Sequence, residues 1–126
     1  MNSEFASTFD QHDEVLMAEA LLLAKRAAQE NEVPIGAVIV REGEIIGRGW
    51  NQNIALNDPS AHAEIMAIRK ACAAVDNFTL NGSVIYASSE PCPMCLSAIY
   101  WARIDELYFA CSADDTSDAG FDDSFI

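Results

Sequence analysis

Two short segments of this 126-residue chain carry residue types at a spacing that can do chemistry. The first is Ala61-His62-Ala63-Glu64, and the second is Glu90-Pro91-Cys92-Pro93-Met94-Cys95. One imidazole and two thiols make three soft or borderline ligands, a set that suits Zn²⁺. Three protein ligands leave the fourth tetrahedral position open to water, which distinguishes a catalytic zinc site from a closed structural one. A fourth protein ligand would have to be His12 or Cys111, and neither stands at a motif spacing from the other three. Cys92 and Cys95, three apart in a first helical turn, can converge on one ion. The partial positive charge of a helix N-terminus lowers a thiol pKa and so favours the thiolates that zinc needs. His62 offers one ring nitrogen and must anchor the other on a second acceptor. Glu64, two residues on, can reach the water without being a ligand, take its proton and pass it on. Each part alone has a plainer reading: a lone His is a satisfied core residue, a first-turn Glu favours the helix dipole, and a lone Cys-x-x-Cys is weak. The joint occurrence in one small α/β pattern is what carries the metal reading.

The elements that must position these residues are legible from hydropathy and caps. A helix is expected over residues 10–30, capped by Asp10, with Asp13 and Glu14 in its first turn and Lys25 and Arg26 toward its end. Its apolar stripe is read as Val15, Leu16, Leu22, Leu23 and Ala27. Pro34 ends any helix. Residues 35–40 and 45–50 read as two strands joined by Arg41-Glu42-Gly43-Glu44, a tight turn with Gly at a left-handed position. An Asn-rich loop follows. Ser60 is the expected cap of a helix over residues 61–75. Residues 83–88 read as a buried strand, Pro91 or Pro93 opens a helix to about residue 103, and residues 106–111 form a last strand. The later strands alternate with helices, so they should be parallel and covered on both faces. Cys72, Cys111, Tyr100, Trp101 and Trp50 read as core residues.

Length bounds the chain to a single domain, 1–126, with a flexible arm at 1–9 and an acidic C-terminal segment at 112–126. Hydrophobic residues make up 51% and charged residues 21%, which excludes a disordered chain. The net charge is −13, from 20 acids against 7 bases. Phosphate contacts need clustered Lys and Arg, so this balance argues against a general nucleic-acid binder and against docking on an anionic membrane. No apolar stretch reaches the length of a transmembrane helix, and Met1-Asn2-Ser3-Glu4 lacks the basic start of a signal peptide. The expected location is the cytoplasm. In a reducing compartment the four cysteines point to metal or redox work rather than a disulfide framework.

The pairing of H-x-E with P-C-x-x-C is the pattern of zinc nucleobase deaminases. The chain resembles the cytidine deaminase-like superfamily, in its branch of purine and tRNA adenosine deaminases. The resemblance lies in Pro34-Ile35-Gly36-Ala37-Val38-Ile39-Val40, Gly49-Trp50-Asn51, Asp58-Pro59-Ser60-Ala61-His62-Ala63-Glu64 and the Cys92–Cys95 block. Residues 92–103 and Ala119-Gly120-Phe121-Asp122-Asp123-Ser124-Phe125-Ile126 look like the bacterial guanine deaminase branch. The resemblance implies a three-layer α/β/α sandwich with a mixed sheet, here without the C-terminal elements that the family carries beyond this point. It implies hydrolytic deamination of a free purine base, most simply guanine to xanthine and ammonia. His62, Cys92 and Cys95 would bind one Zn²⁺ per chain, and Glu64 would shuttle the proton. Asn51 would hydrogen-bond the base, with Ala63, Ile35 and Asp122 as further base-lining positions. Position 35 is Ile where the guanine branch more often has an aromatic that stacks on the base. Asp123 would contact the base near its amino group: guanine presents N1–H and its 2-amino group as adjacent donors, and a carboxylate is an acceptor-only fork. Placed by the departing amine instead, it would relay a proton.

Other readings predict different observations. A tRNA adenosine deaminase would bind tRNA at physiological salt, against the acidic charge balance. A zinc-stabilised module without activity would ignore Glu64→Gln and unfold on loss of zinc. A deaminase of cytosine or another amino-heterocycle would separate in a substrate panel. A bare sheet edge after residues 106–111 would be an unpaired row of donors and acceptors, so a homodimer is expected, with exchanged C-terminal segments as one form.

Overall fold

The computed structural model describes residues 9–112. Its elements run α1 (Gln11–Gln29), β1 (Gly36–Arg41), β2 (Glu44–Trp50), α2 (Asn53–Leu56), α3 (Ala63–Val75), β3 (Ser83–Ser89), α4 (Pro93–Trp101) and β4 (Glu106–Cys111). The strands form one mixed sheet in the order β2-β1-β3-β4. β1 pairs antiparallel with both β2 and β3, and only β3 and β4, joined by a crossover helix, are parallel. The β1–β2 hairpin turns through Glu42 (φ 53) and Gly43 (φ 80), two successive left-handed residues that match the twist of the flanking strands.

The sheet is covered on both faces, and alternation along β1 decides what each face meets. Val38, Val40 and Tyr86 face α1, against Leu16, Met17 and Ala20. Ala37, Ile39 and Ile85 face the other way, against Ala63, Ala67 and Ala71 of α3 and Ile99 of α4. This is the α/β/α sandwich expected from the resemblance. No helix among the described residues is long and apolar enough to cross a membrane.

Capping fixes where α1 begins. Asp10 and Asp13 form a reciprocal capping box, each carboxylate accepting from the other's backbone N–H. The Tyr86 hydroxyl donates to Asp13 and ties α1 to β3. Burial and this bond push the Tyr86 phenol well above its ordinary range. Tyr86 stacks on Tyr108, and Phe9 meets Tyr108 edge-on, so residue 9 of the expected arm is packed; residues 1–8 lie outside the described residues.

Several expectations need correction. The buried stripe of α1 is Leu16, Met17, Ala20, Ala24 and Ala27, while Val15 and Leu22 are exposed. The helix crosses Gly36 so closely that a Cβ there would lie 2.5 Å from the Ala24 amide nitrogen, so at that crossing small residues, Ala20 and Ala24, fill the buried stripe, while Leu16 and Met17 fill it one turn earlier. The Asn-rich loop contains the single-turn helix α2. Ser60 does not cap α3: its backbone N–H and hydroxyl both donate to Asp58 Oδ1 at 2.8 and 2.7 Å, and the cap position is His62, two residues later. Tyr100 and Trp101 are 65% and 68% exposed, because α4 turns only Cys95 and Ile99 fully inward. Cys111 is exposed, whereas Cys72 is half-buried and packs against the core as expected. Trp50 is half-buried, held between Arg26 at 3.9 Å and Lys70 at 4.6 Å from its ring centre.

Candidate metal centre and active site

Two helix N-termini converge on one point. His62 is the N-cap of α3 and Cys92 the N-cap of α4, both with extended backbone and neither with a side-chain cap bond. Their side chains turn to each other instead. His62 Nδ1 lies 3.6 Å from Cys92 Sγ and 3.5 Å from Cys95 Sγ. One ligand atom from each of His62, Cys92 and Cys95 falls within 4.8 Å of the others, a group that could hold a metal ion. Cys95 is fully buried in the first turn of α4. The two thiols hold their protons unevenly. Cys92 is pushed down to about 4, chiefly by the hydrogen bond from Cys95, with His62 adding to the effect. The same bond and burial push Cys95 well above the usual thiol range.

Close packing sets the position of α3. Gly47 and Gly49 of β2 lie directly under its Ala63-Ala67-Ala71 stripe. A Cβ on Gly49 would meet the Ala63 carbonyl oxygen and lie 2.5 Å from the Ala67 amide nitrogen. A remote residue caps the helix: Asn51 Oδ1 accepts from Ala63 N at 2.8 Å, satisfying a first-turn donor that no local side chain reaches. Asn51 is buried, and its Nδ2 donates to Asn53 Oδ1 at 3.3 Å. An amide nitrogen carries two hydrogens, so one remains for a further acceptor.

Glu64 follows Ala63 in the first turn and is 3% exposed. Its Oε1 is a buried oxygen with no hydrogen-bond partner. Burial is the main reason its carboxyl is held above the ordinary range, with His62 and a bond to Cys95 acting the other way. A buried polar atom without a partner is costly in a folded chain. Here it sits beside three soft donors, and a metal ion with its water would meet it. The donor set, the burial and this unpartnered oxygen all fit zinc.

Of the other expected site residues, Ala63 is buried between His62 and Glu64. The Ile35 carbonyl accepts from Asn51 N at 3.2 Å, which sets Ile35 beside the Asn51 end of the site. Asp122 and Asp123 lie outside the described residues. Sequence reasoning missed Glu32 and Asn53. Asn53 ties Asn51 to the Asp58 carbonyl, and Glu32 accepts from Ile54 N and Ala55 N. The available signal was an acid in a stretch otherwise turning inward, Glu32 before Val33-Pro34-Ile35.

A mixed four-stranded sheet under helices, with His, Cys and Cys gathered at two helix starts and a buried Glu beside them, defines a zinc-binding deaminase domain. Residues 10–111 match the family described as cytidine and deoxycytidylate deaminase zinc-binding region, and the chain belongs to that family. It is 54% identical over 93 residues to the guanine deaminase of Bacillus subtilis, covering 74% of this chain and 60% of that protein. It is 44% identical over 108 residues to a tRNA-specific adenosine deaminase of Haemophilus influenzae, covering 85% and 62%. The chain therefore spans about three fifths of the length of these two curated relatives. The crystal structure of the Bacillus subtilis guanine deaminase superposes with a TM-score of 0.86 at 44% identity, over 99% of this chain and 74% of that one.

Proposed function

We propose that this protein hydrolyses the exocyclic amine of a free purine base, converting guanine and water to xanthine and ammonia. The observation that carries the hydrolytic reading is the buried, unpartnered Glu64 oxygen beside His62, Cys92 and Cys95. His62, Cys92 and Cys95 hold the metal. Zinc bound there supplies water activated for attack at neutral pH.

The remaining steps belong to this chain's own groups. Glu64 accepts a proton as water adds to the base carbon bearing the amine. It then returns that proton to the amine, which leaves as ammonia. Its raised carboxyl pKa, caused by burial, suits a group that must both hold and release a proton. Asn51 is fixed by Ala63 and Asn53 so that its second amide hydrogen can donate to an acceptor on the base. Ala63 and Ile35, next to Asn51, would pack against the base. Asp123, with Asp122 next to it, pairs with the adjacent N1–H and 2-amino donors of guanine or relays the proton to the departing amine.

Guanine is favoured over adenosine in tRNA by the charge balance of −13 and by the 54% identity with a guanine deaminase. The tRNA reading keeps the support of its 44% identity with a tRNA-specific enzyme. A homodimer in the cytoplasm is proposed as well. Among the described residues β4 is an edge strand, with Phe109, Ala110 and Cys111 exposed, and a second copy or its exchanged C-terminal segment would cover that edge. A monomer mass by sedimentation would remove that part of the reading. The functional test is ammonia release from zinc-loaded protein with guanine, adenine, guanosine, cytosine, cytidine and tRNA. Guanine-dependent release that vanishes in Glu64→Gln is the expected result. Release from tRNA or cytosine alone would keep the zinc chemistry and overturn the substrate.

A further inference from the structure

We propose that Glu32 is a positioning residue for the base-binding arm at residues 51–55; the proposal rests on the reading of Asn51 as a base contact. Glu32 reaches the interior because of how α1 ends. Asn31 takes a left-handed conformation (φ 63), and the Glu32 N–H closes back on the Ala27 carbonyl at 2.9 Å. This reversal, a Schellman-type stop with Asn in the left-handed place, turns the chain inward. Glu32 ends up 7% exposed.

A carboxylate buried to that degree must be hydrogen-bonded. Oε1 accepts from Ile54 N at 3.1 Å and Oε2 from Ala55 N at 2.9 Å. These amides are first-turn donors of α2, whose own cap residue, Gln52, makes no side-chain cap bond. A four-residue helix does not hold itself in water, since nucleation costs more than one turn returns. The two charge-assisted bonds from a residue 22 positions earlier fix it instead.

The other end of the same turn leads to the site. Asn53 opens α2, accepts from Asn51 Nδ2 at 3.3 Å and donates to the Asp58 carbonyl at 2.9 Å. Asn51 in turn holds Ala63 N, between His62 and Glu64. Glu32 thus sets the aim of the Asn51 amide through α2 and Asn53. The metal ligands and Glu64 depend much less on this chain of bonds, because α3 is seated by its packing on Gly47 and Gly49. Loss of Glu32 should therefore weaken binding of the base more than it slows chemistry.

The test is Glu32→Gln, which keeps size and shape but sets an amide NH₂ against one of the two backbone donors. The expected result has four parts: unchanged zinc per chain, KM for the base raised on the order of tenfold, kcat within about threefold, and faster amide exchange at Ile54 and Ala55. Glu32→Asp, which keeps the charge and both acceptors, should show a smaller shift in the same direction and serves if Glu32→Gln fails to fold. Unchanged exchange at Ile54 and Ala55 would overturn the proposal. So would faster exchange with KM unmoved, or a fall in kcat and zinc content at constant KM, since a residue that only supports the fold would act that way. Wild-type protein inactive on every base would sink the functional reading alone, and the exchange rates would still decide whether Glu32 holds the arm.

Discussion

Replacing Gly49 with alanine should damage the metal centre without touching it. The added methyl would fall against the Ala63 carbonyl and lie 2.5 Å from the Ala67 nitrogen and 3.1 Å from its Cα. All three are helix backbone atoms, which cannot rotate away as a side-chain tip can. Ordinary contact begins at 3.4 Å, so α3 must withdraw by roughly 1 Å. Overpacking of this kind costs about 1–3 kcal/mol, which for a domain of this size lowers Tm by roughly 3–15 °C. The larger consequence is local. His62 and Glu64 ride on α3, while Cys92 and Cys95 ride on α4. Withdrawal opens the His–Cys distances of 3.5 and 3.6 Å. Zinc affinity should fall about 10–100-fold, and kcat about 100-fold for a misplacement near 1 Å. The assays are competition for zinc against a chelator of known affinity, ammonia release at saturating zinc, and thermal melting. Gly43→Ala is the control. It strains a turn at φ 80 with nothing within 4 Å, so it should cost about 1 kcal/mol and leave zinc affinity and turnover unchanged. A Gly49→Ala protein that melts early but binds zinc and turns over like the parent would refute the view that helix-on-glycine packing positions the site.

Glu64→Gln should keep its zinc and lose activity by about 10²–10⁴-fold, read by metal analysis beside ammonia release. Zinc at about 1,000 times its Kd should stabilise the protein by about 4 kcal/mol, read as a Tm that falls on chelation. Cys95→Ser should lose most of that difference. Tyr86 makes stability sensitive to alkali. Its folded-state pKa is raised above the ordinary 10.0, so its contribution is intact below pH 10 and declines as pH rises beyond it. Denaturant midpoints measured from pH 8 to 11 should fall more steeply for the parent than for Tyr86→Phe.

The strands were legible because each is short and rich in apolar residues, the first three bounded by Gly, Pro or Asn, and the two ligand blocks because their residue types have few other uses together. What escaped the sequence depends on distances between elements. The stripe of α1 differs because hydropathy favours Val15 and Leu22, whereas the turn of the helix that lies against Gly36 is that of Ala20, Leu23 and Ala24. Tyr100 and Trp101 read as core by composition. A nine-residue helix that already turns Cys95 and Ile99 inward has no inner face left for them, and Arg103 lies over both rings at 4.8 and 5.6 Å instead. Glu32 escaped because its partners are amides 22 and 23 residues away.

The misplaced cap at Ser60 is the most informative of these differences. Where a helix only has to begin, the local rule holds, as at α1 with its Asp10–Asp13 box. Where a helix has to present a ligand, the rule fails. α3 and α4 start at His62 and Cys92, two metal-ligand side chains where a capping hydroxyl or carboxylate would otherwise stand. Had Ser60 or an Asp filled either cap position, its oxygen would have met the first-turn donors and reduced the positive end of the helix. With a ligand at each cap position, the Cys95 N–H of α4 bonds the Cys92 sulfur and helps to lower its pKa, and the Ala63 N–H of α3 is taken by Asn51 from across the loop. Capping α3 from a distance frees position 62 for imidazole, and it ties the arm at residues 51–55 to the metal helix by the same bond. Metal geometry and base geometry are therefore coupled through Ala63 N. A change that moves Asn51 should be felt first in binding of the base, and one that moves α3 first in binding of zinc.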